Sequence, residues 1–181
     1  MLMILALLGA AWAERLAVLD FESNLKGDLP GILADQSRAG ALDVLDPFKW
    51  SIITRENVMQ VLKDMGKDLD CLDGSCEVEL GRNIGADVVV SGTLSQVDSL
   101  YLLSLKLHDS SSGKLLAMET IKATQQVELV EKTFEGTSNL LAKGLGLILE
   151  SDGVWLTVTT TPTAQLFLDN ELLCEKTPCR R

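Results

Sequence analysis

At 181 residues the chain has room for one ordinary domain, or for one domain with a small appendage. Its composition, 46% hydrophobic and 23% charged with only 4 Pro, excludes wholesale disorder and collagen-like or low-complexity character. The balance of 16 Lys and Arg against 26 Asp and Glu gives a formal net charge of −10, which argues against nucleic acid or an anionic membrane surface as a partner. The single His excludes every mechanism that needs two.

Residues 1–13 read MLMILALLGAAWA. An uncharged apolar run followed by Ala11-Trp12-Ala13 fits a secretory leader cleaved before Glu14. As a helix this stretch would reach about 20 Å, short of the ~30 Å hydrocarbon core. No Cys stands at the cleavage point, so lipid attachment there is not expected. No later stretch is long and apolar enough to span a membrane.

Arg15 to Phe21 reads as a mostly buried strand. Asn24, Gly27 and Pro30 mark a loop, with Pro30 suited to a helix's first turn. Leu33, Ser37, Ala41, Val44 and Leu45 recur at helical spacing up to Pro47, and Phe48 to Thr54 is a second strand. Thr54 is placed to cap a helix whose inner stripe is Val58, Val61, Leu62 and Met65, with Gly66 as its stop. An acidic loop, Lys67 to Ser75, precedes a short helix over Cys76 to Ile84. Three strands follow: Ala86 to Val97, Tyr101 to Asp109, and, after the Ser110-Ser111-Ser112-Gly113 turn, Lys114 to Thr124. In the middle one Tyr101, Leu103, Leu105 and Leu107 alternate with Ser104, Lys106 and His108, a half-buried pattern that puts His108 on the solvent side. A long amphipathic helix runs from Val127 to Leu149. Beyond the Ser151-Asp152-Gly153 linker the texture turns β-branched, with turn signals at Thr161-Pro162-Thr163 and Asp169-Asn170. This tail of about 28 residues is below the ~40 at which a domain folds unaided.

The fold class predicted is therefore α/β (α+β). Residues 14–150 form a mixed sheet with a three-strand antiparallel meander packed by about four helices, and residues 151–181 add a short all-β hairpin unit.

Three stretches carry a resemblance. They are Ala17-Val18-Leu19-Asp20-Phe21; Ile52-Ile53-Thr54-Arg55 with Val58 and Leu62; and Glu79 through Asp87 followed by Val88-Val89-Val90-Ser91-Gly92. Their succession resembles the envelope domains grouped with the TolB amino-terminal domain, CsgG and FlgO, over about residues 15–149. The tail resembles part of a PEGA module through Leu156 to Thr160, Pro162, Leu166 to Asp169 and Thr177-Pro178. Asn170 and Glu175 stand where that family prefers Gly, and the back half of the module has no counterpart. The resemblance implies non-enzymatic work in a Gram-negative-type envelope, docking to other proteins or to cell-wall assemblies, with no cofactor. It does not imply a pore, because the loops around Leu100 and Gly113 are too short for membrane hairpins.

Cys71 and Cys76 are separated by four residues, and so are Cys174 and Cys179. In an exported chain such pairs read as disulfides, each contributing about 2 kcal/mol through loop closure. A four-thiolate zinc site is the rival, and requires the two pairs to meet in space. A redox-active pair lacks its usual two-residue gap. Asp68, Asp70 and Glu79 fall at positions one, three and twelve of a calcium loop, but Leu72 and Asp73 occupy positions five and six, where a ligand and a Gly are needed. No metal site is predicted. Ser112-Gly113-Lys114 lacks the remaining residues of a phosphate loop. Gly144-Leu145-Gly146 lacks the third Gly of a dinucleotide fingerprint and suits close helix packing.

No catalytic residue is predicted. The expected working surface is the edge of the Val154–Leu173 hairpin, with Trp155, Leu166, Leu168 and Leu172 as contact residues, because an unfinished sheet leaves backbone groups free to recruit a strand. The other expectation is a binder of a small ligand or cell-wall glycan, using the acidic loop or Trp155.

Overall fold

A computed structural model describes residues 13–64, 75–147, 157–168, 171–177 and 179–180. The chain divides into two units, one ending at Leu147 and one starting at Ile148.

In the first unit β1 (Glu14–Val18) lies between β3 (Trp50–Ile53) and β4 (Val88–Val97), parallel to both. The short β2 (Glu22–Ser23) also runs parallel to β4, farther along it. The meander is completed by β5 (Leu100–Asp109) and β6 (Leu115–Ala123), both antiparallel, for a spatial order β3-β1-β4-β5-β6. Alternation sorts the side chains into two layers. Leu16, Val90, Leu105 and Ile121 face α1 (Leu29–Val44) and α4 (Gln126–Leu145). Ala17 and Val89 share a smaller core with Val58 and Leu62 of α2 (Arg55–Asp64) and Leu80 and Ile84 of α3 (Ser75–Ile84). Each such side chain fully removed from water is worth about 1.5–3 kcal/mol.

The expected first strand is cut short. It stops at Val18, and the chain turns through Leu19, Asp20 and Phe21 before β2. Asp20 is drawn out of the ladder by two arginines, while Phe21 is buried with its ring against Gly92. The last helix is also shorter than expected. Gly146 adopts φ +67 and the Leu147 amide bonds back to the Ala142 carbonyl, a left-handed stop. Gly144 does pack closely, under the side chains of Leu107 and Ala117.

The helices α1 and α4 meet along small residues. The Thr137 hydroxyl lies 2.8 Å from that of Ser37, the Ser138 hydroxyl donates to the Gly40 carbonyl at 3.2 Å, and a Cβ at Gly40 would land on the backbone carbonyl of Phe134. Along the open edge of the sheet, Lys132 of α4 donates to the Lys122 carbonyl of β6 at 3.1 Å and to Glu128 at 2.7 Å. Lys143 pairs with Glu119.

The second unit holds two antiparallel pairs. β7 (Thr157–Val158) pairs with β10 (Cys179–Arg180), and β8 (Leu166–Leu168) with β9 (Glu171–Cys174). Thr177 knits its turns. The side chain is buried, its amide donates to the Ala164 carbonyl at 3.0 Å, and its hydroxyl accepts from the Ala164 amide at 2.9 Å and meets the Thr160 hydroxyl. The Thr161–Pro162 bond is cis. Replacing Thr177 by Ala leaves the Ala164 N–H unsatisfied, a loss of about 1–1.5 kcal/mol. In hydrogen exchange the Ala164 amide should speed up about tenfold while amides of the first unit do not change; equal rates in wild type and variant would contradict this role.

Candidate functional site

The parallel strands β1 and β3 end on the same side of the sheet, the side where open α/β sheets most often bind ligands. Asp20 follows β1, Arg55 opens α2 directly after β3, and Arg38 projects from α1. Arg55 grips Asp20 as a fork, Nε to the two carboxylate oxygens at 2.9 and 3.0 Å and Nη2 to Oδ2 at 2.6 Å. Arg38 reaches the Val18 carbonyl at 2.7 Å, Asp35 at 2.6 Å and Asp20 at 3.4 Å. Burial raises the Asp20 carboxyl's affinity for protons, but the hydrogen bonds and charges of Arg55 and Arg38 outweigh it and hold the group below 3.8. These five groups answer one another: two carboxylates, two guanidiniums and a strand carbonyl. Their chemistry is that of a clamp joining β1, α1 and α2, with no free base or nucleophile among them.

His108 overturns an expectation. Alternation puts it on the side of Ser104 and Lys106, as predicted, yet it is buried. Sequence alternation identifies a face but not what covers it, and α3 covers this end. The helix comes down so closely that a Cβ at Gly81 would collide with Val89 and the Ser110 hydroxyl. His108 Nδ1 lies 3.5 Å from Glu77 Oε2, with both side chains 10% exposed. The hydroxyls of Ser91 and Ser110 are likewise buried without a hydrogen-bond partner among the described residues. Arg82 fastens the same helix to the turn after β5, donating to the Ser110 carbonyl at 2.5 Å and the Ser111 carbonyl at 2.9 Å. That turn is set by Asp109, which accepts from the Ser111 and Ser112 hydroxyls and the Ser112 amide, each at 2.7 Å. These bonds bring its carboxyl down to about 2. No signal in the sequence marked Glu77, since an acidic residue in a helix's first turn is ordinary.

Among the cysteines, Cys174 is buried and disulfide-bonded, so it is no thiolate ligand for zinc. Cys71 lies outside the described residues, as do the side chains of Cys76 and Cys179. Asp68, Asp70, Asp73 and Trp155 lie outside them too. Among the described residues no group of three or more His, Cys, Asp or Glu is placed to hold a metal ion, and no helix is long and apolar enough to cross a membrane. In the β8–β9 hairpin Leu166 is half-buried opposite Cys174, and the side chain of Leu168 lies outside the described residues. Leu172 is 45% exposed and sits directly across from Phe167, which is 56% exposed. Phe167 was not among the expected contact residues, because alternation puts it on the face away from Leu166 and Leu168.

The first unit is thus a three-layer α/β domain whose parallel half ends in a self-neutralised acid–arginine clamp. No protein-family model matches the sequence, and no curated protein matches it. Solved structures of low identity do. Lipoprotein GNA1162 from Neisseria meningitidis is 14% identical, with a TM-score of 0.51 over 72% of this chain and 98% of that one. The LpoB C-terminal domain from Escherichia coli is 16% identical, with a TM-score of 0.49 over 65% of this chain and 87% of that one. TolB from Acinetobacter baumannii is 15% identical, with a TM-score of 0.48 over 84% of this chain and 34% of that one. The likeness to GNA1162 is a likeness of fold.

Proposed function

We propose that this chain is an exported, non-enzymatic cell-envelope protein that works as a protein-interaction or assembly scaffold. In this reading residues 14–150 are a TolB amino-terminal/CsgG-like domain, residues 151–181 an incomplete PEGA-like module, and Cys71–Cys76 and Cys174–Cys179 are disulfides. The partner is another envelope protein of a Gram-negative-type bacterium, and no cofactor takes part.

The observation that carries the reading is the exposed cross-strand pair Phe167–Leu172 on a two-stranded sheet. An aromatic and a leucine placed side by side on a hairpin form a small apolar anchor next to strand edges that pair with no further strand among the described residues, the geometry of strand-addition docking. Two further points support it. The polar groups at the carboxyl ends of β1 and β3 are bound to one another, leaving none poised to react. The fold is shared with a protein named as a lipoprotein.

A photoreactive residue at position 167 should form a discrete protein adduct in intact cells, and Leu172→Asp should weaken it at least tenfold, as loss of an interface anchor does. The competing reading is a cell-wall glycan binder that uses Trp155. Absence of any protein adduct, together with a saturable tryptophan-fluorescence shift on adding micromolar muropeptide, would replace the scaffold by that binder.

A further inference from the structure

Four buried polar atoms of the first unit lack a hydrogen-bond partner among the described residues: Glu77 Oε2 and His108 Nδ1, 3.5 Å apart, and Ser91 Oγ and Ser110 Oγ. They come from α3, from β4, and from the end of β5 with the turn after it. Buried polar groups are normally satisfied, and a set of four orphans is a reservoir of unfavourable energy held shut by the packing around it. Two of the four belong to His108, the only His of the chain, and to Glu77, 3.5 Å from it.

We propose that this pair is a proton-operated latch: at neutral pH α3 lies closed on β4 and β5, and uptake of one proton by His108 on mild acidification releases α3 while the α1–α4 side of the sheet stays folded.

The geometry gives the reason. A charged imidazole needs either water or a close carboxylate. Bulk water reaches little of the pair, since both side chains are 10% exposed. The carboxylate compensates only in part, lying at 3.5 Å, beyond the 2.7–2.9 Å of a charge-assisted bond. Both needs are met once α3 lifts. The helix is 10 residues long, places Leu80 and Ile84 in the smaller core and ends at Gly85 with φ +68, and Arg82 holds its last turn to the Ser110 and Ser111 carbonyls.

The charged groups around the pair are few among the described residues. Burial lowers the proton affinity of His108, Glu77 opposes this, and Lys106 on the same strand adds to it, with a net value below 6.5. Glu22 of β2 faces Glu77, and its carboxyl is raised by burial and then by that neighbour. From β4 come only the uncharged Val89 and Ser91, and β6 offers Leu115 opposite His108. Arg82 is engaged with the Ser110 and Ser111 carbonyls, and Asp109, held near 2, stays ionised throughout. The sign follows. The released imidazole takes its proton at about 6.5 and the closed one only at lower pH, so the open form binds more protons between those values and the closed form loses ground as pH falls through 6.5. Glu22 acts in the opposite sense, its raised value favouring the folded form on acidification, so the range of the test stops at pH 5.5.

The test is amide hydrogen exchange on the whole chain at pH 7.5 and 5.5, corrected for intrinsic rates. Protection at Val78, Leu80 and Ile84 should fall severalfold at the lower pH, toward the roughly tenfold ceiling that one proton taken up at about 6.5 sets over this range, with Leu129 and Leu140 of α4 unchanged, and His108→Gln should abolish the difference. Unchanged protection in α3, an equal loss in α4, or the same loss in the Gln variant would overturn the latch. If the Gln variant fails to fold, NMR of the wild type decides, where a lone His gives one unambiguous signal: a midpoint below 6.5 that coincides with loss of α3 amide protection upholds the proposal, and a midpoint at or above 6.5, or α3 amides unchanged through the titration, ends it.

Discussion

Replacing Asp20 by Ala should destabilise the first unit by about 3 kcal/mol, the scale on which removing one partner of a desolvated ion pair strands the other. For a domain of this size that is a fall in Tm of about 10 °C. The loss is large because Asp20, with its side chain 18% exposed, answers both Arg55 and Arg38. Its removal leaves Arg38, whose Nε is already buried without a partner, with Asp35 and the Val18 carbonyl alone. Asp20→Asn keeps the shape and removes the charge, so it should fall between the two. The pH dependence has a definite sign. Folding depresses the Asp20 value below 3.8, so its contribution is complete above the unfolded value and drains away as pH falls through the folded one. The wild-type advantage over Asp20→Asn should therefore be full at neutral pH and shrink under acid denaturation. A loss below about 1 kcal/mol for Asp20→Ala would place the clamp with ordinary surface ion pairs.

The second large effect is expected at Gly40. Gly to Ala inside a helix is ordinarily worth about 1 kcal/mol in favour of Ala. Here the added Cβ would strike the Phe134 carbonyl, a backbone atom of the facing helix that cannot swing aside as a side chain would. Gly40→Ala should therefore cost about 1–2 kcal/mol despite the better propensity, and Gly40→Leu about 3 kcal/mol or more, by forcing α1 off α4 and parting the Ser37–Thr137 contact. Urea unfolding measures both. A stabilised Gly40→Ala would mean that the two helices have slack between them.

Local chemistry wrote much of this architecture plainly. Leu103, Leu105 and Leu107 alternate as a half-buried strand must, and all three are buried. Thr54, placed as a cap by its position before Arg55-Glu56-Asn57, accepts from the Asn57 amide at 3.4 Å. Ser110 to Gly113 reads as a hairpin turn and is one, with φ +73 at Gly113. What escaped was every feature that depends on two distant segments meeting. Asp20 and Arg55 each stand out in the resemblance, but nothing within either stretch says that they bind each other across 35 positions. The sequence pattern carries β1 three residues past its end, because Leu19 and Phe21 are as apolar as the strand before them and only the pull on Asp20 reveals the break. His108 reads as a solvent-side residue because a strand's period names its faces without naming what lies on them. In the tail, Leu172 was anticipated through its own hairpin, while Phe167 emerged only from the register that sets the two side by side.

The ammonium of Lys132 over the outermost strand has a consequence for life at high concentration. A nine-residue border strand with its backbone open would let molecules zip border to border into ribbons, a common origin of fibrils. A positive charge seated on the Lys122 carbonyl puts a hydrated, mutually repelling group where the next molecule's backbone would have to lie. In crowded surroundings this border of the large sheet is thereby fenced off from its own kind.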